Sequence, residues 1–179
     1  MARKPRPRKS DPTYQELAKW LVDMEPERRP KHLAKLSDDE QLAMSRHWPL
    51  FARPEQLPPP GDWRTWLIMA GRGFGKTRAG AEWVRSVARD SRARIALVGG
   101  SLGDARAVMV EGESGLLAVS SGPGRPNWEP SLRRLTWPGG AVATLYSAQE
   151  PESLRGPQHS HACRPGAEGD FRQRGAFAG

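Results

Sequence analysis

The chain has 179 residues, with 28 Lys or Arg against 20 Asp or Glu for a formal charge of +8, 37% apolar residues, 19 Gly and 17 Pro. That length suits one domain with appendages, and so much Gly and Pro keeps part of the chain out of helices and strands. The lone cysteine, Cys163, excludes a disulfide scaffold and a cysteine-based zinc cluster, and no apolar run approaches the ~18–20 residues of a membrane span.

Residues 1–10 form a basic arm broken by prolines, suited either to DNA phosphates or to a solubilising tail. Asp11 to Glu16 stand where a secretory signal would need its apolar stretch, so the chain reads as soluble and cytoplasmic, in a host cytoplasm, with no membrane partner. The spacing predicts a helix over 12–24: Asp11 caps it, Pro12 takes its first position, and Leu17, Trp20, Leu21 and Met24 recur at i, i+3, i+4, i+7. A second helix opens at the capping box Ser37-Asp38-Asp39-Glu40, carries Leu42 and Trp48 on its apolar side and ends before Pro49. Trp20 and Trp48 read as packing residues. Residues 53–61, with three consecutive prolines, read as a stiff extended linker that closes a small helical lead-in over 11–61.

Residues 62–159 carry an α/β pattern. The apolar run 65–69 reads as a strand buried on both faces, and 76–90 as a helix with Ala79, Trp83, Val84 and Val87 on one side. Residues 94–98 read as a second buried strand and 104–110 as a helix. Strand, helix, strand at this spacing implies parallel strands joined by a right-handed crossover. Residues 132–137 and 141–146 flank Pro138-Gly139-Gly140 as a hairpin, and 160–179 show no periodicity and no expected element.

One motif carries chemistry: Ala70-Gly71-Arg72-Gly73-Phe74-Gly75-Lys76-Thr77. It matches the strand–GxxxxGK[ST]–helix phosphate loop except that Ala70 replaces the first glycine. Its glycines free the backbone to bring N–H groups close to phosphate oxygens, and the helix that follows aims its positive end at the same anion. In such a loop Lys76 reaches the β- and γ-phosphates of ATP, Thr77 supplies a hydroxyl to Mg²⁺, and Arg72 either adds charge beside the γ-phosphate or stands in solvent.

The string from Trp66 to Trp83 closely resembles the ATPase domain of tailed-phage terminase large subunits, above all those of prophages and gene-transfer-agent-like particles. The likeness continues through Ile95-Ala96-Leu97-Val98-Gly99, through Glu111-Gly112-Glu113-Ser114-Gly115, through Leu135-Thr136-Trp137-Pro138-Gly139-Gly140, and through Ser153-Leu154-Arg155-Gly156. It implies a P-loop NTPase fold with an incomplete parallel-type sheet flanked by helices, behind the helical lead-in. It further implies ATP-driven packaging of double-stranded DNA into capsids, with ATP and Mg²⁺ bound at 70–77, in a homo-oligomeric ring meeting a portal protein and a small terminase subunit. Lys76 and Arg72 are its expected catalytic residues, and Arg155 matches the position of an arginine finger acting on a neighbouring subunit's ATP.

The likeness also has a gap. Members of that family carry an apolar strand ending in an acidic pair about ten residues beyond the arginine, the aspartate for Mg²⁺ and the glutamate for the attacking water. Pro165 and Gly166 occupy those positions here, and Glu168 and Asp170 lack a buried strand before them. The tail reads as out of the family's frame, so the expectation is a shortened motor domain that binds ATP and hydrolyses it slowly or not at all. The alternatives are a non-catalytic basic nucleic-acid-binding protein and another P-loop NTPase.

Overall fold

A computed structural model describes residues 14–120 and 122–164. Compact packing divides the chain after Leu57. The unit before that point holds α1 (Tyr14–Asp23), α2 (Arg29–Leu33) and α3 (Asp38–Ser45), followed by short 3₁₀ turns at Trp48–Leu50 and Pro54–Gln56. The start of α3 is the expected capping box. The Ser37 backbone N–H donates to the Glu40 carboxylate at 2.9 Å, and Ser37 Oγ accepts from the Glu40 N–H. The Ser37 backbone N–H, and after it the Ser37 hydroxyl donating to the same carboxylate at 2.9 Å, hold the Glu40 carboxyl below its ordinary pKa.

Ala18, Leu21, Met44 and Leu50 form the core of this unit, which corrects the expected apolar faces. Leu42 is 53% exposed and Met44 is buried, because two residues apart on a helix lie about 200° apart and cannot share a face. Trp20 is half exposed, one step off the Ala18–Leu21 stripe, with its ring edge-on to His32 at 4.9 Å. Trp48 opens a 3₁₀ turn and does not continue α3. Unforeseen is α2, whose Arg29 guanidinium donates to the carbonyls of Val22 at 2.8 Å, Met24 at 3.1 Å and Leu50 at 3.2 Å. A cation thereby satisfies carbonyls that the end of α1 leaves without helical partners. The start of the expected linker is folded, with the Arg53 N–H donating to the Gln56 side chain at 2.9 Å.

The second unit is built on a five-stranded sheet in the order β2-β3-β4-β1-β5. Its strands are β1 (Arg94–Gly99), β2 (Asn127–Glu129), β3 (Arg134–Thr136), β4 (Val142–Ser147) and β5 (His161–Cys163). The sheet is mixed, not parallel: β1 pairs in parallel with β4 and β5, whereas β3 runs antiparallel to β4 and β2. The expected hairpin is β3–β4, and β2 was not foreseen. The register sets Ile95 opposite Ala143 and Leu97 opposite Leu145. With Leu135 they form the apolar face that packs on Ala81 and Val84 of α4 (Lys76–Val87), on Met109 and Val110, and on Leu116 and Val119 of α6 (Leu116–Val119).

Two expectations fail here, and a third holds with an earlier start and a different helix type. Residues 65–69 are not a strand: they pair with no strand among the described residues, and Leu67 and Met69 are 60% and 84% exposed. The parallel neighbours of β1 are β4 and β5, so both its edges are filled and the predicted crossover partner has no place beside it. The helix expected over 104–110 begins earlier, as α5 (Leu102–Asp104) capped by Ser101, and runs on as a π-helix over Ala105–Val110. Gly99 permits this, because a Cβ there would lie 2.7 Å from the Ala105 backbone nitrogen. Finally, β5 forms where no element was expected. The Arg94 N–H donates to Ser160 Oγ at 2.9 Å and the Ser160 N–H donates to the Arg94 carbonyl at 2.8 Å, which seeds the pairing. Pro165, Gly166, Glu168, Asp170 and the rest of 165–179 lie outside the described residues, as do the basic arm and Pro12.

Cys163 on β5 meets α4, where a Cβ built at Gly80 would sit 3.3 Å from its sulfur. Burial pushes its thiol from 9.0 up to about 11. At pH 8 the native thiol is therefore expected to react with an aromatic disulfide reagent about 100-fold more slowly than in denaturant, since the thiolate is the nucleophile. Equal rates would show β5 detached from α4.

Candidate functional site

The segment entering the glycine loop is held by aromatic contacts where sheet pairing was expected. The Trp63 ring lies 6.2 Å from Trp66 and 6.1 Å from Trp83 of α4, and Trp83 lies 5.9 Å from His161 of β5. Edge-on and tilted aromatic pairs of this kind add specific attraction to the area they bury. The loop is thus anchored to the helix that follows it, not to a preceding strand.

Gly73 and Gly75 have φ of +77° and +87°, a region that costs a side-chain-bearing residue strain. Gly75 is the N-cap of α4 and offers no side chain to its first turn. The unsatisfied N–H groups and the positive end of the helix dipole consequently face outward from the loop. Lys76 folds back over it: Nζ donates to the carbonyls of Ala70 at 2.7 Å and Gly71 at 2.8 Å. An ammonium is thereby held at the loop's mouth, with no carboxylate paired to it among the described residues.

Next to this turn lies a cavity of about 520 Å³, one wall of which runs from Gly73 through Lys76 and Thr77 to Arg78. Among the described residues the Thr77 hydroxyl makes no hydrogen bond. Arg78 is steadied by Glu82, whose buried carboxylate lies 2.7 Å from both Arg78 and Arg85. Arg85 in turn donates to the Val119 carbonyl at 3.2 Å, tying α4 to α6.

The opposite wall comes from the end of the π-helix and the turn after it: Ala107, Val108, Gly112, Glu113 and Ser114. No residue of this wall was singled out as functional from sequence, although two glycines bracketing Glu-Ser are a turn signal. Phe74, Gly73, Gly75, Lys76 and Thr77 line the cavity as a group, whereas Ala70, Gly71 and Arg72 do not. Ala70 and Gly71 contribute carbonyls to Lys76, and Arg72 is exposed. Arg155 is also outside the cavity, at the end of the 3₁₀ turn Pro151–Leu154, highly exposed and 2.9 Å from Glu152.

The described residues contain no group of three or more His, Cys, Asp or Glu placed to hold a metal ion, and no helix long and apolar enough to cross a membrane. A cation here would have to be shared between the protein and a ligand's own oxygens.

No curated protein and no solved structure matches the chain. A family model does, over residues 67–163, more than half of the 179. The matched span takes in the glycine loop from Gly71, α4, both cavity walls and all five strands. Its description is "Terminase large subunit, T4likevirus-type, N-terminal", and with the loop, the sheet and the cavity all inside the match, this chain belongs to the terminase large subunit family.

Proposed function

We propose that this chain carries the nucleotide site of a terminase motor, a P-loop NTPase fold that binds Mg·ATP and serves the packaging of double-stranded phage DNA. The observation that carries the reading is the Lys76 ammonium poised on the Ala70 and Gly71 carbonyls at the uncapped start of α4. Terminal phosphates would replace those carbonyls as its acceptors and take the first-turn N–H groups as donors, the arrangement that favours anions at helix N-termini. The cavity of about 520 Å³ lies within the usual size of small-ligand sites. Thr77, lining it with a hydroxyl unengaged among the described residues, fits the magnesium ligand of a phosphate loop.

Bound magnesium supplies charge neutralisation for the phosphates. The chain's own part is to bind and orient them through Lys76, the backbone of 73–77 and Thr77. Efficient hydrolysis also needs carboxylates for metal and water, and the family likeness aligns Pro165 and Gly166 with that pair. The chain therefore binds nucleotide and turns it over slowly, at about 10⁻² s⁻¹ or less where ordinary enzymes run near 10 s⁻¹. Arg155, exposed and among the described residues paired with the neighbouring Glu152 alone, suits a finger that reaches a neighbouring subunit's nucleotide in a ring. The charge of +8 suits a DNA partner, and a portal protein and a small terminase subunit complete the assembly.

A melting experiment tests the reading. Mg·ATP at about 100 times its Kd is expected to add about 2.7 kcal/mol, which raises the melting point of a unit this size by roughly 10 °C or more. An unmoved melting point at millimolar Mg·ATP would refute nucleotide binding, and ordinary turnover by the purified chain would refute slow hydrolysis.

A further inference from the structure

We propose that Glu113, on the turn facing the glycine loop, is the carboxylate through which a divalent cation is coupled to nucleotide binding at this site. The inference rests on the nucleotide-binding reading above and adds to it a residue and a charge requirement. Lys76 and Arg78 line one side of the cavity and Glu113 the other; it is the one acidic residue among the described residues lining it. A bare carboxylate opposite a triphosphate repels it, whereas a divalent cation between the two attracts both. The same side chain thus opposes metal-free nucleotide and favours its magnesium complex.

Neighbouring groups single out Glu113. Two residues earlier, Glu111 is already engaged, accepting from Arg106 Nε at 2.9 Å and Trp128 Nε1 at 3.0 Å. Glu113 makes no hydrogen bond or ion pair among the described residues. Its turn is also firmly seated. A Cβ at Gly112 would lie 2.8 Å from the Ala107 carbonyl oxygen, and one at Gly115 would lie 2.7 Å from that of Val110. The Gly115 N–H donates to the Gly112 carbonyl at 2.8 Å, closing the turn on the end of the π-helix. Side chains at either glycine would lift the turn, so the backbone presents Glu113 and Ser114 to the cavity from a fixed base. Single-turn π segments are frequent where a helix has been bent to serve a site.

The experiment titrates the full chain with a fluorescent ATP analogue, once in excess MgCl₂ and once in EDTA. For the unaltered protein, magnesium is expected to tighten binding about tenfold, within the usual range for coupled ligands. Glu113→Gln is expected to bind more tightly than the unaltered protein in EDTA and more weakly in MgCl₂, which reduces the ratio to about twofold. A purely structural role would weaken binding in both buffers and leave the ratio unchanged. Glu113→Asp is expected to restore most of the ratio. Glu111→Gln, outside the cavity, is expected to keep it even where it lowers the melting point. If Glu113→Gln keeps the full ratio while Lys76→Ala weakens binding about 100-fold, the inference is overturned and the nucleotide site stands. If the unaltered chain binds in neither buffer, both readings are overturned.

Discussion

Replacing Lys76 by alanine is expected to weaken ATP binding about 100-fold while leaving the melting point of the nucleotide-free protein within about 2 °C. The size follows from what the ammonium does in each state. Without nucleotide it donates to two loop carbonyls, at 2.7 and 2.8 Å, on a partly solvated surface where water can replace it at little cost. With nucleotide its acceptors would be charged oxygens, and a charge-assisted hydrogen bond is worth about 1.5–3 kcal/mol. Losing about 2.7 kcal/mol of binding free energy is the stated 100-fold. Calorimetric titration of both proteins with Mg·ATP checks it, and equal affinities would take the loop out of the nucleotide site. Duplex DNA binding provides the contrast. It draws on net charge, falls steeply with salt, and should be almost indifferent to this substitution. A chain that binds DNA in this way but no nucleotide would be a basic nucleic-acid-binding protein without a motor.

The second large effect compares two leucines of identical chemistry. Leu97→Ala is expected to cost about 3–4 kcal/mol, and Leu67→Ala less than about 1 kcal/mol, as read by denaturant unfolding of each variant. Leu97 is fully buried on the interior strand β1, opposite Leu145 on β4 and Cys163 on β5. Its removal opens a cavity bounded on both sides by paired strands, which relax little. Leu67 is 60% exposed, in a segment without strand pairing among the described residues. Similar costs at the two positions would mean that residues 65–69 are inside the sheet after all.

That pair of residues also marks where sequence reasoning stops. Local chemistry was legible wherever a few neighbouring residues settle the outcome. The capping box at Ser37 is one such case. Others are the amphipathic α4, the buried run of β1, the β3–β4 hairpin around Pro138-Gly139-Gly140, and the glycine loop with its lysine on the helix start. Each depends on contacts within about a dozen residues, and such contacts are written into spacing.

What the chain could not announce is competition for position. The runs at 65–69 and 94–98 look alike in composition, yet only one is in the sheet. The edges of β1 can be filled once each, and β4 and β5 fill them from 48 and 66 residues away in register. β5 is three residues long, too short for any period to reveal it, and exists because β1 offers it hydrogen bonds. The second wall of the cavity has the same origin. Glu113 lines the same cavity as Lys76 although 37 residues separate them, on a turn whose glycines pack against the end of the π-helix. The sequence by itself determined the glycine loop with its lysine on the helix start and pointed to the family. Tertiary packing alone decided which apolar run became a strand and which carboxylate lines the cavity beside the glycine loop, because edges and cavities are shared by segments far apart in the chain.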